Sequence, residues 1–456
     1  MNDGSVLIRN AAAIMTGLAG EAARTAGPDI RVLRSRISAI GKLTPQAHER
    51  QLDATGCVVY PGWINTHHHL AQCVLKGVPA GLNVPLIAWL AAVPHRYRDR
   101  YDESLLRLAA EIGIAELVLS GTTTIADHHY TYLRGMNYDP AELLFDVANK
   151  FGVRFVFCRG GVTTRPDFEE NNPNLPEVES AEGIIEDVER LVNRYHDVSG
   201  SSMRRVVMAP VNPIWAVKPA ELMEMARAAR RMGIHMHSHL SETVDSVTFC
   251  RERFGIMPVE FVAEHEWLGP DVWFAHMVHV SDPEIRMMGE TGTGVAHCPA
   301  SNCRLGSGIA PATLLAAAGV PMSFGVDGPA SNESADMLSE VHTAWYLHRA
   351  CKGARALAVE DVVRWGTSGG ARVLGLKETG AIAPGLCADI AVYQLDDLRY
   401  AGLHDIAIGP VASGGRPKLK YLLVQGAVVV ENDAIPGLDT KRLMARAREA
   451  VKKLMG

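Results

Sequence analysis

Between about residue 100 and residue 330 the chain alternates short apolar runs with longer stretches in which apolar positions recur every three or four residues. The short runs cover 122–127, 153–158, 206–210, 234–239, 272–276, 294–297 and 320–327. They are rich in β-branched and aromatic residues and too short for helices, so they predict strands. The longer stretches, 103–119, 141–150, 181–194 and 219–232, carry the helical period. One further strand ends at His67, which makes eight β units with helices between most of them. That count and alternation predict an α/β fold, a (β/α)8 TIM barrel, rather than an open doubly wound sheet. No Gly-x-Gly-x-x-Gly opens any of the helices, which argues against dinucleotide binding.

The two ends have a different texture. Residues 5–15 and 30–40 predict strands divided by a Gly/Ala-rich link, and 388–393 and 419–430 predict more, with a turn at Gln425-Gly426. Neither end can bury a good core alone. They are expected to meet in one small β-sandwich domain, 1–56 with 378–456, which includes a charged amphipathic helix over 440–454. The barrel would occupy 57–377.

Composition narrows the classes. A 456-residue chain with 47% hydrophobic and 21% charged residues is ordinary for a soluble globular protein. A net charge of -6 gives no basic footprint, so nucleic acid is not expected as a partner. Eight cysteines without a Cys-x-x-Cys pair do not make a disulfide scaffold, and a cytoplasmic location is expected. Met1-Asn2-Asp3-Gly4 does not begin a signal peptide. The uncharged run 305–326 is interrupted by Gly306, Gly308, Pro311, Gly319 and Pro321, so it predicts a loop, a helix and a strand instead of a membrane span.

The candidate chemistry lies at strand ends. Asn65-Thr66-His67-His68-His69 follows the apolar run 57–60, which reads as a strand. Alternate side chains of a strand share a face, so His67 and His69 point together while His68 points away. Such a pair can hold a metal ion, although a surface histidine cluster would look the same locally. Later runs end in Asp127-His128-His129, in His235-Met236-His237-Ser238-His239, in His276, in His297 and in Asp327. Barrel active sites form at these carboxyl ends, and 18 histidines scattered at random would not favour them.

Five linked pieces carry a resemblance to a known family. They are Pro61-Gly62-x-x-Asn65-x-His67-x-His69, His239-x-x-Glu242, Ala275-His276-x-Val278-His279, His297-x-Pro299-x-Ser301-Asn302 and Gly325-Val326-Asp327-Gly328. In this order they resemble the amidohydrolase superfamily, in its deaminase and chlorohydrolase-like branch. The resemblance runs from about Gly56 to Leu374, and Gly380-x-Ile382-x-x-Gly385-x-x-Ala388-Asp389 resembles the family's entry to the small domain.

The resemblance implies one divalent metal held by His67, His69, His239 and Asp327, with zinc favoured and ferrous iron as the other candidate. His235 and His237 share strand parity with His239, but the family spacing His-x-x-Glu selects His239. The other two are then packed or supporting histidines. Binuclear relatives carry a lysine at the end of the fourth strand. Here the nearest, Lys218, lies well beyond it, so one metal is expected. A metal-bound water becomes hydroxide near neutral pH because the ion lowers its pKa from about 15.7 towards about 7.

Asp327 is implied to accept the water proton, Glu242 to protonate a ring nitrogen and His276 to stabilise the attacking oxygen. His297 would line or support the pocket. His128 and His129 are either its floor or polar rim residues. The implied reaction is hydrolytic deamination of an amino-substituted heteroaromatic ring, most readily a guanine-like bicycle. Gln72 would bind a lactam edge, because a carboxamide donates and accepts at once. Trp89, and similarly Trp215, is either a stacking surface or a core residue. The substrate is expected to be small and neutral, and the only protein partner indicated is another copy in a homo-oligomer. Two alternatives stay open: hydrolysis of a halide or alkylamine from an s-triazine, and a non-catalytic scaffold that has lost metal positions.

Overall fold

The computed structural model describes residues 4–24, 27–165 and 177–455; Met1, Asn2 and Asp3, part of the leader expectation, lie outside them. Eight parallel strands close into a barrel: Trp63–His68, Thr122–His129, Arg154–Arg159, Arg204–Met208, Met236–Leu240, Val272–His276, Gly294–His297 and Met322–Phe324. Phe324 of the eighth strand pairs with Asn65 of the first. Parallel neighbours need a crossover, and helices such as Glu103–Leu119, Pro140–Phe151, Ala181–Tyr195 and Pro219–Met232 supply it. Asp102, Asp139 and Ser180 cap the first three of these by accepting backbone N–H bonds in the first turn. The fold is therefore the TIM barrel that the alternation predicts.

The chain ends form two further sheets. One orders Arg36–Gly41, Asp29–Leu33, Ser5–Arg9 and Arg50–Asp53; the other orders Ala427–Glu431, Lys418–Val424, Ile390–Gln394, Cys57–Pro61 and Ala13–Ile14. Val6, Ile8, Ile30, Val59, Ile390 and Val392 belong to the apolar core shared by the two sheets, giving the expected sandwich. The carboxyl-terminal helix Thr440–Met455 lies against the barrel, where Arg446 pairs with Glu111 of Glu103–Leu119 at 2.7 Å.

Three details differ from the sequence reading. The run Cys57–Pro61 is not the start of the first barrel strand, because it pairs antiparallel with Ile390–Gln394 in the sandwich. The chain changes sheet at Gly62, where a Cβ would fall 2.2 Å from the Thr123 methyl, so only glycine permits that crossing. Residues 5–15 and 30–40 are each broken, the first after Asn10 (φ 63) and the second at a hairpin through Arg34 (φ 58). Neither turn carries the Asn-Gly or Asp-Gly signal that announces a reversal. The eighth strand pairs regularly only over Met322–Phe324, and beyond it Asp327 makes an isolated parallel bridge to His68. The run 305–326 holds the helix Ala312–Ala317 and that strand, and no helix among the described residues is long and apolar enough to cross a membrane.

Candidate active site

The first barrel strand delivers His67, and the chain then turns into the 3-10 turn Leu70–Val74, which carries Gln72. Asp127 of the second strand holds that turn by accepting the Leu70 N–H at 2.6 Å. Burial pushes the Asp127 pKa up to about 7. His67 and His69 face one another with ring centroids 4.8 Å apart. His68 points away into packing, with Nε2 3.9 Å from Cys73 Sγ, and burial lowers its pKa to about 3.

Hydrogen bonds fix which nitrogen each imidazole presents. His69 Nδ1 donates to the His128 carbonyl and His239 Nδ1 to the Val211 carbonyl, both at 2.7 Å. His237 Nδ1 donates to the Trp273 carbonyl at 3.0 Å, so its Nε2 accepts from His67 Nδ1 at 2.8 Å. Three Nε2 lone pairs are thereby turned inward. His69 Nε2 lies 3.2 Å from His239 Nε2, and Asp327 Oδ1 lies 3.2 Å from His69 Nε2 and 3.4 Å from His67 Nε2. His67 Nε2 is buried without a hydrogen-bond partner. Burial pushes His67 and His239 well below the usual histidine range, so both are neutral. Burial opposes ionisation of Asp327, but contacts with His67 and His69 hold its carboxyl well below the usual range. Burial opposes protonation of His69, but its contacts with Asp327 raise its pKa. Imidazoles and an anionic carboxylate around an orphaned nitrogen are the donor set a divalent cation such as zinc takes.

Two overlapping groups of potential ligand atoms lie within 4.8 Å: His67, His69, His128 and His239, and His67, His239, His276 and Asp327. His128 gives Nε2 to the Ala209 carbonyl at 2.7 Å, which leaves Nδ1 without a partner. His276 gives Nδ1 to Asn302 Oδ1 at 2.9 Å and turns Nε2 towards Glu242 Oε2 at 3.6 Å. Burial raises the Glu242 pKa, with His276 pulling the other way. Ser301 Oγ at 2.6 Å and Ser331 Oγ at 3.0 Å both donate to Asp327 Oδ2, leaving Oδ1 for the centre.

The remaining candidates separate cleanly. His239, Glu242, His276, Asp327, Gln72 and Trp89 all line one cavity at the carboxyl end of the barrel. Trp89, on Leu86–Ala92, is 3% exposed and donates to the Ala330 carbonyl at 3.3 Å, so it is a core residue with one surface in the wall. Trp215 is half-buried and also lines the cavity. Arg165, which the sequence reading did not single out, stands in the same wall. His129 is buried outside this cavity against Tyr132 and Phe157. His297 meets His348 at 3.0 Å on the helix Met337–Lys352 and does not reach the cavity. His235 precedes its strand and packs beside Gly375 at the opposite end of the barrel, so its parity with His239 has no meaning. Lys218 is exposed and pairs with Glu221 at 2.9 Å.

Sequence reasoning placed His237 among the packed or supporting histidines without saying which group it supports, which is His67, and it missed Ser301, Ser331 and Asn302 as holders of Asp327 and His276. Ser301 and Asn302 stand inside a motif already quoted, which was the available signal. Tyr130, the residue after His129, also lines the cavity and was passed over.

A TIM barrel whose strand ends bring together His67, His69, His239 and Asp327, with Glu242 and His276 beside them, defines a metal-dependent hydrolase of one lineage. Residues 58–430 match the model of the amidohydrolase family, and the chain belongs to that family. It is 52% identical to an isoxanthopterin deaminase from an unknown prokaryotic organism, over 99% of this chain and 97% of that protein. It is 38% identical to the 8-oxoguanine deaminase of Pseudomonas aeruginosa, over 91% of each chain. Among solved structures it resembles zinc-bound atrazine chlorohydrolase from Arthrobacter aurescens TC1, with TM-score 0.91 and 28% identity over 98% of this chain and 100% of that one.

Proposed function

We propose that this protein is an aminohydrolase that releases ammonia from a 2-amino-4-oxo heteroaromatic bicycle of the isoxanthopterin or 8-oxoguanine type. It is a hydrolase of carbon–nitrogen bonds in cyclic amidines. One divalent ion, zinc by preference, is held by His67, His69, His239 and Asp327. These four are preferred to sets with His128 or His276 because their facing atoms are 3.2–3.4 Å apart. The ion's contribution is to acidify the attacking water.

The chain's own residues move the protons. Asp327 takes one from the water, and Glu242 gives one to the ring nitrogen beside the amino-bearing carbon, which makes that carbon electrophilic. His276 hydrogen-bonds the attacking oxygen as charge develops. When the adduct collapses, the hydroxyl proton returns to Glu242 and the Asp327 proton leaves with the amine as ammonia. Both carboxyl groups end as they began. Gln72 binds the substrate, with Trp89 and Trp215 in the walls that sandwich a flat ring.

The observation that carries this reading is Glu242. It is buried at the cavity wall, held towards the protonated state, and turned to His276 rather than to a cation. Its test is ammonia release from isoxanthopterin, 8-oxoguanine, guanine and a chlorotriazine, with metal content measured on the same preparation. Release from a lactam bicycle, lost on chelation and restored by zinc, is expected at about one ion per chain. Chloride release without ammonia would instead give the triazine reading, and no turnover with no bound metal would favour the scaffold reading.

A further inference from the structure

We propose that the cleft at the amino-terminal end of the barrel, around Arg205 and His235, binds a small organic anion with an apolar body. It lies at the other end of the barrel from the candidate active site and does not depend on the deaminase reading. Residues that begin or precede barrel strands line it: Arg205 of Arg204–Met208, His235, Val272, Gly294 and Pro321. Leu18, Ala381 and Leu386, from segments next to the sandwich strands, line it too, so the cleft lies where the two domains meet. Its ionisable side chains are Arg205, His235, Arg372 and Lys377, and no aspartate or glutamate is among the lining residues. In a chain with 51 acidic residues against 45 lysines and arginines, that is a one-sided charge.

Arg205 is the group that calls for a ligand. It is 8% exposed, and its Nε is buried without a hydrogen-bond partner. Its terminal nitrogens meet the Ser199 carbonyl at 2.7 Å, the Val198 carbonyl at 3.4 Å and His196 Nε2 at 3.4 Å, and none of these is an anion. The acids nearby are engaged elsewhere. Asp197 accepts from Ser199 Oγ at 2.9 Å, Glu378 pairs with Arg36 at 2.5 Å, Asp271 with Arg230 at 3.0 Å and Asp389 with Arg154 at 2.7 Å. Burial lowers the Arg205 pKa, Asp197 pulls the other way, and Arg154 adds to the lowering. His235 is close enough for the Arg205 charge to depress its pKa further after burial has done so. A guanidinium keeps its charge across the physiological range, so burying it without a counter-ion is costly, and an anion from solution removes that cost. Its planar fork suits a carboxylate or a phosphate group. Val272, Pro321, Val373, Leu376 and Leu386 supply apolar wall, which a bare inorganic ion would leave wet and a hydrocarbon or aromatic body would cover.

The experiment titrates the zinc-loaded protein with 3-phenylpropionate and with phenyl phosphate, by calorimetry and by thermal melts, with benzyl alcohol as the uncharged control. At least one anion is expected to bind once per chain, about 10-fold or more tightly than the alcohol, and to raise the melting temperature. Which of the two binds better distinguishes a carboxylate from a phosphate head group. Arg205→Met should weaken that binding about 10- to 100-fold, as for loss of a charge-assisted hydrogen bond. The double variant Arg372→Gln with Lys377→Gln changes only exposed positions and should weaken it about 3-fold or more. It carries the test if Arg205→Met does not fold. No binding of either anion, equal binding of benzyl alcohol, or binding that survives the substitutions, as an anion seated on the metal would, overturns the proposal. None of these outcomes bears on ammonia release.

Discussion

Two buried polar clusters stand at opposite ends of the barrel, and they are built differently. At the sandwich side Arg154 Nη1 meets Asp389 Oδ2 at 2.7 Å and Thr124 Oγ1 at 3.0 Å, while its Nε donates to the Ser202 carbonyl at 2.7 Å. Asp389 also accepts from Thr379 Oγ1 and from the Gln425 N–H. Only Arg154 Nη2 is left over. At the cavity end, His67 Nε2, His128 Nδ1, Gln72 Oε1 and Asn302 Nδ2 are buried without partners. The backbone there is strained as well, with positive φ at Ser241 (51), His276 (75), Met277 (49) and Asp327 (63). A cluster whose groups satisfy one another joins two layers. One whose groups wait for a ligand, on backbone of high energy, is a working site.

The contrast predicts opposite phenotypes, and the largest effect belongs to the cavity end. Glu242→Gln should lower kcat by about 10³- to 10⁴-fold with little change in melting temperature, read from steady-state kinetics and a thermal melt. A variant that unfolded instead would break the comparison. Arg154→Met at the other end leaves Asp389 buried and unpaired, which should destabilise the fold by about 3–5 kcal/mol in denaturant titration. Its kcat per folded molecule should stay near that of wild type.

Gly328→Ala is smaller. The added methyl would lie 1.8 Å from Gln72 Oε1 and must displace it, so kcat/KM for a lactam substrate should fall about 10-fold or more with metal content unchanged.

The smallest effect comes from Glu340, buried beneath the site, whose Oε2 accepts the Ala300 N–H at 3.1 Å. Burial raises its pKa well above 4.5. The folded state therefore holds this proton more tightly than the unfolded one, and stability falls as pH rises above about 4.5. Glu340→Gln mimics the protonated acid, so it should raise the melting temperature by about 1–3 °C at pH 8 and not at pH 5. An equal shift at both values would show that charge is not the cause.

Much of this was legible along the chain. The pattern of apolar residues marked the strands 272–276 and 294–297 and the helices 103–119 and 219–232 at their observed limits, because the strands are buried along their whole length and the helices bury one face against a continuous core. The break at Gly62 was not legible. The apolar run before it serves a sandwich strand as well as a barrel strand, and only pairing distinguishes them. His235 shows the converse limit. Parity aligned it with His239, yet parity holds only inside a strand, and His235 lies before one.

The sequence by itself determined the kinds of group at the strand ends, because barrel topology sends every strand's carboxyl end to one face. Only the tertiary structure decided which atom each group presents. The tautomers of His67, His69 and His239 depend on carbonyls and a histidine from other strands or the loops that follow them. The free oxygen of Asp327 depends on two serines of other segments. The direction of the Gln72 carboxamide is set by its hydrogen bond to Tyr130, 58 positions away. Such directions are set by contacts across the fold, which no local pattern encodes.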